Sequence, residues 1–337
     1  MSYTDETRLQ HLLGLGVGYW KSKAFLSACD LKLFTLVSQG ADSVSKIACT
    51  LQIPLRNTGI LMNVMTSQGL LEKNGDVFKI TDLSSEFLVE GEWNYIGDFF
   101  IGINRMFYRP FVEFEQALLN GRPVWSVDAR GRHLPITRDE VGVFAKAMHA
   151  VSKLTGRAFG KLQKLSECRR LLDVGGGTGL MSINAAKQNL NLEALVMDRP
   201  LVCQIAQEYV SESGLSDRIK TLDSDFIIDE YPVGFDVHLY SNIFHNFNAN
   251  ICRNLLLKSF RSMTSNGQIF LIDYLLEDHE IGPEFSVVFN LFSMVAMENG
   301  GTRTFSEYKM WLEDAGFIGV NHEPICGPFS LIHGKKV

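Results

Sequence analysis

An apolar run that leads straight into a cluster of glycines, Leu171-Leu172-Asp173-Val174-Gly175-Gly176-Gly177-Thr178-Gly179, limits what this chain can fold into more than any other stretch. The run predicts a buried strand, and the residues from Leu180 onward predict a helix, so the glycines form a strand-to-helix turn. Without a Cβ, such a turn lets backbone approach a ligand closely, and the free N–H groups of a helix start favour electron-rich partners. The turn is similar to the dinucleotide fingerprint, but Leu180 stands where the third glycine of G-x-G-x-x-G belongs, and the fit to nicotinamide binding is poor. Asp173, inside the strand end, is unusual for that fingerprint. It can accept from a cationic ligand amine or satisfy neighbouring backbone N–H groups.

The surroundings of the turn predict its architecture. From Arg169 short apolar runs alternate with helical segments, the pattern of a parallel sheet with crossover helices. The expected strands are Arg170–Val174, Ala194–Met197, Ile219–Leu222, Asp236–Tyr240, Gln268–Asp273, Gly316–Glu323 and Phe329–Gly334. The last two are joined by Pro324-Ile325-Cys326-Gly327-Pro328 with no helix between them, so they should pair antiparallel at the end of the sheet. Upstream, from about Arg8 to Gly121, apolar residues recur at helical spacing. Ser43 should cap one helix, Pro54 should open a second running from Leu55 to Gln68, and Gly69 should end it. A hairpin turning at Asn74-Gly75 should follow. Helix, turn, helix, hairpin is the winged-helix order. A looser segment then runs to Pro135, and Arg138 to Leu165 predicts one long joining helix. A chain of 337 residues exceeds one ordinary core. We therefore expect two domains, 1–159 and 160–337.

Composition excludes several function classes. The formal net charge is −6, which lacks the basic footprint of phosphate-backbone binding. The second helix carries only Arg56 as a base, and the hairpin offsets Lys73 and Lys79 with Glu72 and Asp76. A winged-helix DNA-binding or cofactor-sensing regulator is the alternative from another class. The six cysteines contain no C-x-x-C pair and read as reduced core thiols. No cluster has metal-ligand spacing, so no metal is expected. The N-terminus is polar and acidic, and the most apolar stretch, Phe285 to Met297, is far shorter than the ~20 residues that span a bilayer. A cytoplasmic protein with no membrane partner is the expectation.

A second signal follows the turn. Asp198 stands at the end of the second expected strand, about 20 residues on, where an acid can bind both ribose hydroxyls; it can equally cap the helix that begins near Pro200. Asp225-Phe226 offers an acceptor for an adenine amino group beside an aromatic face. In order along the chain, Leu172-Asp173-Val174-Gly175-Gly176-Gly177-Thr178-Gly179, Val196-Met197-Asp198-Arg199-Pro200, Asp225-Phe226 and Tyr240-Ser241-Asn242-Ile243-Phe244-His245-Asn246-Phe247 resemble the motifs of the small-molecule O-methyltransferases related to plant caffeate and hydroxyindole enzymes. The resemblance spans nearly the whole chain. It implies a Rossmann-like, mostly parallel seven-stranded α/β domain that binds S-adenosyl-L-methionine, preceded by a helical winged-helix-like domain that makes a homodimer. It further implies Gly175 and Gly177 along the methionine part of the cofactor, Asp198 at the ribose, Asp225 and Phe226 at the adenine, and Ser241 as a further contact.

By the same resemblance His245 is the general base and Asp273 the acid that orients it. A sulfonium methyl is already electrophilic, so the protein must chiefly align an acceptor and remove a proton. The acceptor pocket would be lined by Phe144, Met148, His149 and Ser152 of the long helix, and by Phe289, Phe292 and Met294 further on; aromatic and Met side chains suit a flat apolar molecule. Core or dimer interface is the alternative for each. The chain departs from the family at His245-Asn246-Phe247, where His-Asp-Trp is usual, and at Thr302, where a second acid is expected. O-methylation of a small aromatic or polyketide-like acceptor is the expected activity. N- or C-methylation, or a non-methylating use of the fold, is the runner-up.

Overall fold

The structure, a computed structural model, describes residues 5–125 and 137–337. It divides into two compact units, Met1–Arg109 and Pro110–Val337. Most of the looser segment expected up to Pro135 lies outside the described residues.

The first unit is helical: α1 (Asp5–Gly16), α2 (Gly18–Asp30), α3 (Leu33–Ser38), α4 (Val44–Leu51), α5 (Leu55–Ser67), the hairpin strands β1 (Leu71–Asn74) and β2 (Val77–Ile80), α6 (Asp82–Leu88) and α7 (Gly97–Gly102). The expected punctuation is present. The Ser43 side chain accepts from Lys46 N at the start of α4, and Pro54 is the N-cap of α5. Gly69 (φ 71°) follows α5, and Gly75 (φ 59°) lets the hairpin close with Asn74 opposite Val77. Leu33, Phe34, Ile47, Met62, Met65, Leu71 and Phe78 fill the core of this unit.

The second unit runs α8 (Phe114–Asn120), α9 (Arg138–Gly160), β3 (Arg170–Val174), α10 (Leu180–Gln188), β4 (Glu193–Asp198), α11 (Pro200–Glu212), β5 (Ile219–Asp223), β6 (Phe235–Ser241), α12 (Ala249–Ser262), β7 (Met263–Leu276), α13 (Glu284–Ala296), β8 (Arg303–Thr304), α14 (Phe305–Asp314), β9 (Ile318–Cys326) and β10 (Phe329–Lys335). The strands order as β5-β4-β3-β6-β7-β10-β9. All neighbours are parallel except the β7–β10 and β10–β9 pairs, the antiparallel end expected from the helix-free connection. The short β8 pairs with the end of β7, so the sheet has eight strands rather than seven. Two residues carry no periodicity from which to read a strand.

Alternation along the strands decides which side chain serves which face. Leu171, Val196, Val237, Leu239 and Phe270 pack with Phe159 of α9, Met181 of α10 and Ala206 of α11. Leu172, Val174, Tyr240, Ile269 and Leu271 pack with Leu255 and Leu256 of α12 and Tyr308 and Trp311 of α14. The long helix ends at Gly160, and a separate 3-10 turn covers Gln163–Leu165, because Leu162 is extended (ψ 123°). The chain divides into compact units between Arg109 and Pro110, whereas the sequence suggested a division near Gly160; α9 packs on α10 and α11 and so lies inside the second unit. No helix among the described residues is long and apolar enough to cross a membrane.

Candidate active site

The glycine turn opens at the C-terminal end of β3. Gly175, Gly177 and Gly179 all have positive φ (68°, 58° and 72°), a region that side chains rarely enter. A Cβ on Gly175 would lie 2.4 Å from Ile243 Cδ1 and 3.3 Å from the Phe226 ring, whereas one on Gly177 would meet nothing within 4 Å. The backbone at Gly177 therefore borders open space. Its N–H donates to Asp198 Oδ2 (3.0 Å), and Arg199 N donates to Asp198 Oδ1 (2.8 Å). Burial raises the pKa of this carboxylate, and the two backbone donors pull the other way.

Asp173 shares the face of Leu171, toward α10, because it is two residues on in the same strand. Its Oδ2 accepts from Ser182 Oγ at 2.7 Å, while Oδ1 is buried with no partner among the described residues. Burial pushes this carboxyl up to about 6. Asp225 follows β5; its Oδ1 accepts from Ile227 N (3.1 Å), and its own N–H donates to Asp229 Oδ2 (2.8 Å). Phe226 meets Phe247 edge-to-face at 6.1 Å. Ser241 closes β6, and its Oγ lies 3.4 Å from Asn242 Nδ2.

His245 sits in the short 3-10 turn Phe244–Asn246 just after β6. Asp273 is on neighbouring β7, and the two are 5% and 1% exposed, so water does not compete for their bond. His245 Nδ1 lies 2.6 Å from Asp273 Oδ1, and His245 N donates to Oδ2 (3.2 Å). Tyr274 N donates to Oδ1 (2.9 Å) and the buried Tyr308 hydroxyl to Oδ2 (3.0 Å). The carboxylate is thus held by donors on both oxygens, and an acceptor facing Nδ1 selects the tautomer with its proton there. Nε2 then remains as the acceptor nitrogen, with no partner among the described residues. Phe289 lies edge-on to the imidazole at 5.0 Å, and Phe292 is 5.5 Å beyond it. Met294 is half-buried on the same helix.

The two departures from the family pattern have definite destinations. Asn246 turns back to donate to Asn242 O and Ile243 O (2.9 and 3.1 Å). Thr302 N donates to Asn290 Oδ1, and Thr302 Oγ1 is within 2.8 Å of the same oxygen and 3.1 Å of Ser286 O. Among the described residues no hydrogen bond joins Thr302 to the imidazole, and Gly301 beside it donates its N–H to His245 O at 2.8 Å. Sequence reasoning missed Tyr308. It stands four residues after the helix cap Thr304, with Trp311 and Leu312 facing the same core, so its inward direction was readable from spacing. That its hydroxyl meets Asp273 was not.

Among the expected acceptor residues, His149 lies against the glycine turn. Its Nδ1 lies 2.9 Å from Thr178 Oγ1 in the glycine turn and its ring stacks on Tyr209 at 4.3 Å. Burial and the nearby Lys153 lower its pKa to about 4. Phe144, Met148 and Ser152 are half-buried on the same helix. Among the described residues no hydrogen bond or ring contact ties Met148 or Ser152 to His245. Among the described residues no three His, Cys, Asp or Glu side chains converge as metal ligands.

Comparison with known proteins gives two family matches. Residues 113–318 match the model described as O-methyltransferase domain, and residues 13–90 the model described as O-methyltransferase dimerisation domain. The chain is 29% identical over 317 residues to the 3-hydroxy-5-methyl-1-naphthoate 3-O-methyltransferase of Streptomyces sahachiroi, covering 94% of this chain and 92% of that one. It is 26% identical to the acetylserotonin O-methyltransferase of Bos taurus, with 95% of each covered. The human N-acetylserotonin methyltransferase solved in complex with SAM superposes with a TM-score of 0.89 at 22% identity, covering 100% of this chain and 99% of that one, which establishes a shared fold.

Proposed function

The chain belongs to the O-methyltransferase family, and from that premise we propose that it transfers a methyl group from S-adenosyl-L-methionine to a hydroxyl of a small aromatic or polyketide-like molecule, with His245 as general base. The residues at the turn fit the cofactor. Gly177 offers backbone beside open space, Asp198 offers a buried carboxylate for a ribose, and the unpartnered Asp173 Oδ1 leaves an acceptor unused. Asp225 and Phe226 would hold the adenine, and Gly175 and Ser241 would complete the contact. When bound, the cofactor supplies an electrophilic methyl on sulfur.

The observation that carries the reading is the buried 2.6 Å contact between His245 Nδ1 and Asp273 Oδ1. It fixes the ring and leaves Nε2 to accept a proton from an acceptor hydroxyl. A phenol titrates near pH ~10 and an imidazole near ~6.5, so the transfer is favourable once the oxygen begins to bond to carbon. Asp273 stabilises the imidazolium, and Tyr308 holds Asp273. Phe289 and Phe292 would bound the acceptor and exclude water, with Met294, Phe144, Met148 and Ser152 as further lining; His149 is better read as a support of the glycine turn. The first unit, which we read as winged-helix-like, serves dimerisation.

The test uses methyl-deuterated S-adenosylmethionine with a panel of phenolic aromatic acids and polyketide phenols, followed by mass spectrometry. Wild type should yield a labelled aryl ether. His245→Ala should lose at least about a hundredfold in rate, the usual contribution of a positioned base, while still binding S-adenosylhomocysteine. Label on nitrogen or carbon, or full activity in the variant, would refute the assignment.

A further inference from the structure

Lys258 is a cation turned inward. It lies on α12, the helix whose Leu255 and Leu256 join the core beneath the sheet, with only 6% of its surface exposed. Its Nζ donates to Phe226 O at 2.9 Å and to Ile227 O at 3.3 Å, and it lies 4.7 Å from the centre of the Tyr231 ring. Burial lowers its proton affinity, and the carboxylates of Glu230, Asp229 and Asp225 oppose that. Burying a lysine is costly unless its donors find partners. Here both hydrogen-bonded partners are backbone carbonyls of one loop.

That loop is the one read above as the adenine contact. Its start is tied to the ribose acid, because Ser224 N donates to Asp198 O (2.9 Å). Its middle is tied to itself through Asp229, which accepts from Ser224 Oγ and Asp225 N. The carbonyls of Phe226 and Ile227 accept from Lys258 Nζ on α12. The Phe226 ring borders Gly175, so a shift of its carbonyl moves an aromatic wall beside the glycine turn. We propose that Lys258 is a positioning residue that clamps the Asp225–Ile227 loop from beneath in the shape that binds the adenosine part of the cofactor. The proposal rests on the cofactor reading of the preceding subsection.

Calorimetric titration of S-adenosylhomocysteine into the purified full chain tests it, with wild type, Lys258→Met, Lys258→Gln and Lys258→Arg compared. Methionine keeps the stem and removes the donors; the dissociation constant should rise about tenfold or more, the size expected when charged hydrogen bonds are lost. The Gln and Arg variants, which retain donors, should recover part of that loss, and adenosine alone should show the same fold-change as the full ligand. A lysine that serves stability only would lower the melting temperature and leave the dissociation constant of the folded protein at the wild-type value. That result overturns the clamp. Should the Met variant not fold, the Gln and Arg variants decide by the same criterion: unchanged affinity in both overturns it. Wild type that binds no S-adenosylhomocysteine removes the cofactor reading and the clamp together. Tight wild-type binding with unaltered variants removes the clamp alone.

Discussion

At Asp173 a carboxyl group is fully buried beneath the glycine turn with one oxygen bonded to Ser182 and the other unpartnered among the described residues. Its pKa, raised by burial from 3.8 to about 6, makes this residue a source of pH-dependent instability. Between those values the folded chain holds a proton that the unfolded chain has released, so stability falls as pH rises through the window. The cost of ionising it reaches about 3 kcal/mol above pH ~6. His149 and His238, whose pKa values burial lowers to about 4 and about 3, act with the opposite sign over an overlapping range. A difference curve separates them. The stability of Asp173→Asn minus that of wild type, measured by urea denaturation without ligand, should grow between pH 4 and pH 7; a flat difference would contradict the burial argument. Residues of this kind mark the limit of reading by motif. The pairing of His245 with Asp273 was readable because the order of such residues along the chain resembles a family's, whereas the contact of Tyr308 with Asp273 was not, because it joins residues 35 apart with no motif linking them.

Elements are set locally and trimmed by packing. The run Arg170–Val174 is a strand at both levels of description, since its apolar residues suit burial on both faces of a central parallel strand. The long helix was overextended in the sequence reading because apolar spacing continues to Leu165 while the backbone leaves the helix after Gly160. Gly160 serves close approach to α10 there: a Cβ on it would lie 2.6 Å from the carbonyl oxygen of Asn184, whereas one on Gly142 of the same helix would meet nothing within 4 Å. Gly160→Ala should therefore lower stability by about 1–3 kcal/mol, the usual cost of overpacking. Gly142→Ala should raise it by about 0.5–1 kcal/mol through helix propensity alone. Denaturant midpoints of the two variants check this, and equal effects would show that the α9–α10 contact is not tight.

Leu9, Leu12 and Leu13 are each more than half exposed and recur at helical spacing along one face of α1, and Tyr19 and Trp20 are similarly exposed on α2. The dimerisation match begins at residue 13, close to this stripe. Light scattering should give roughly twice 37.8 kDa, and Leu9→Glu with Leu12→Glu should shift the mass toward one chain; a wild-type monomer would end the dimer reading. By itself the sequence determined the strand-to-helix glycine turn, the alternation that makes a parallel sheet, the strand-end acids and the candidate base, because each depends on spacing along one short segment. Only the tertiary structure decided that Tyr308 donates to Asp273, that His149 meets Thr178 in the glycine turn, that Thr302 engages Asn290, and that Lys258 donates to the carbonyls of Phe226 and Ile227. Those contacts join segments tens of residues apart, and their geometry is fixed by how helices settle on the sheet, which no local pattern encodes.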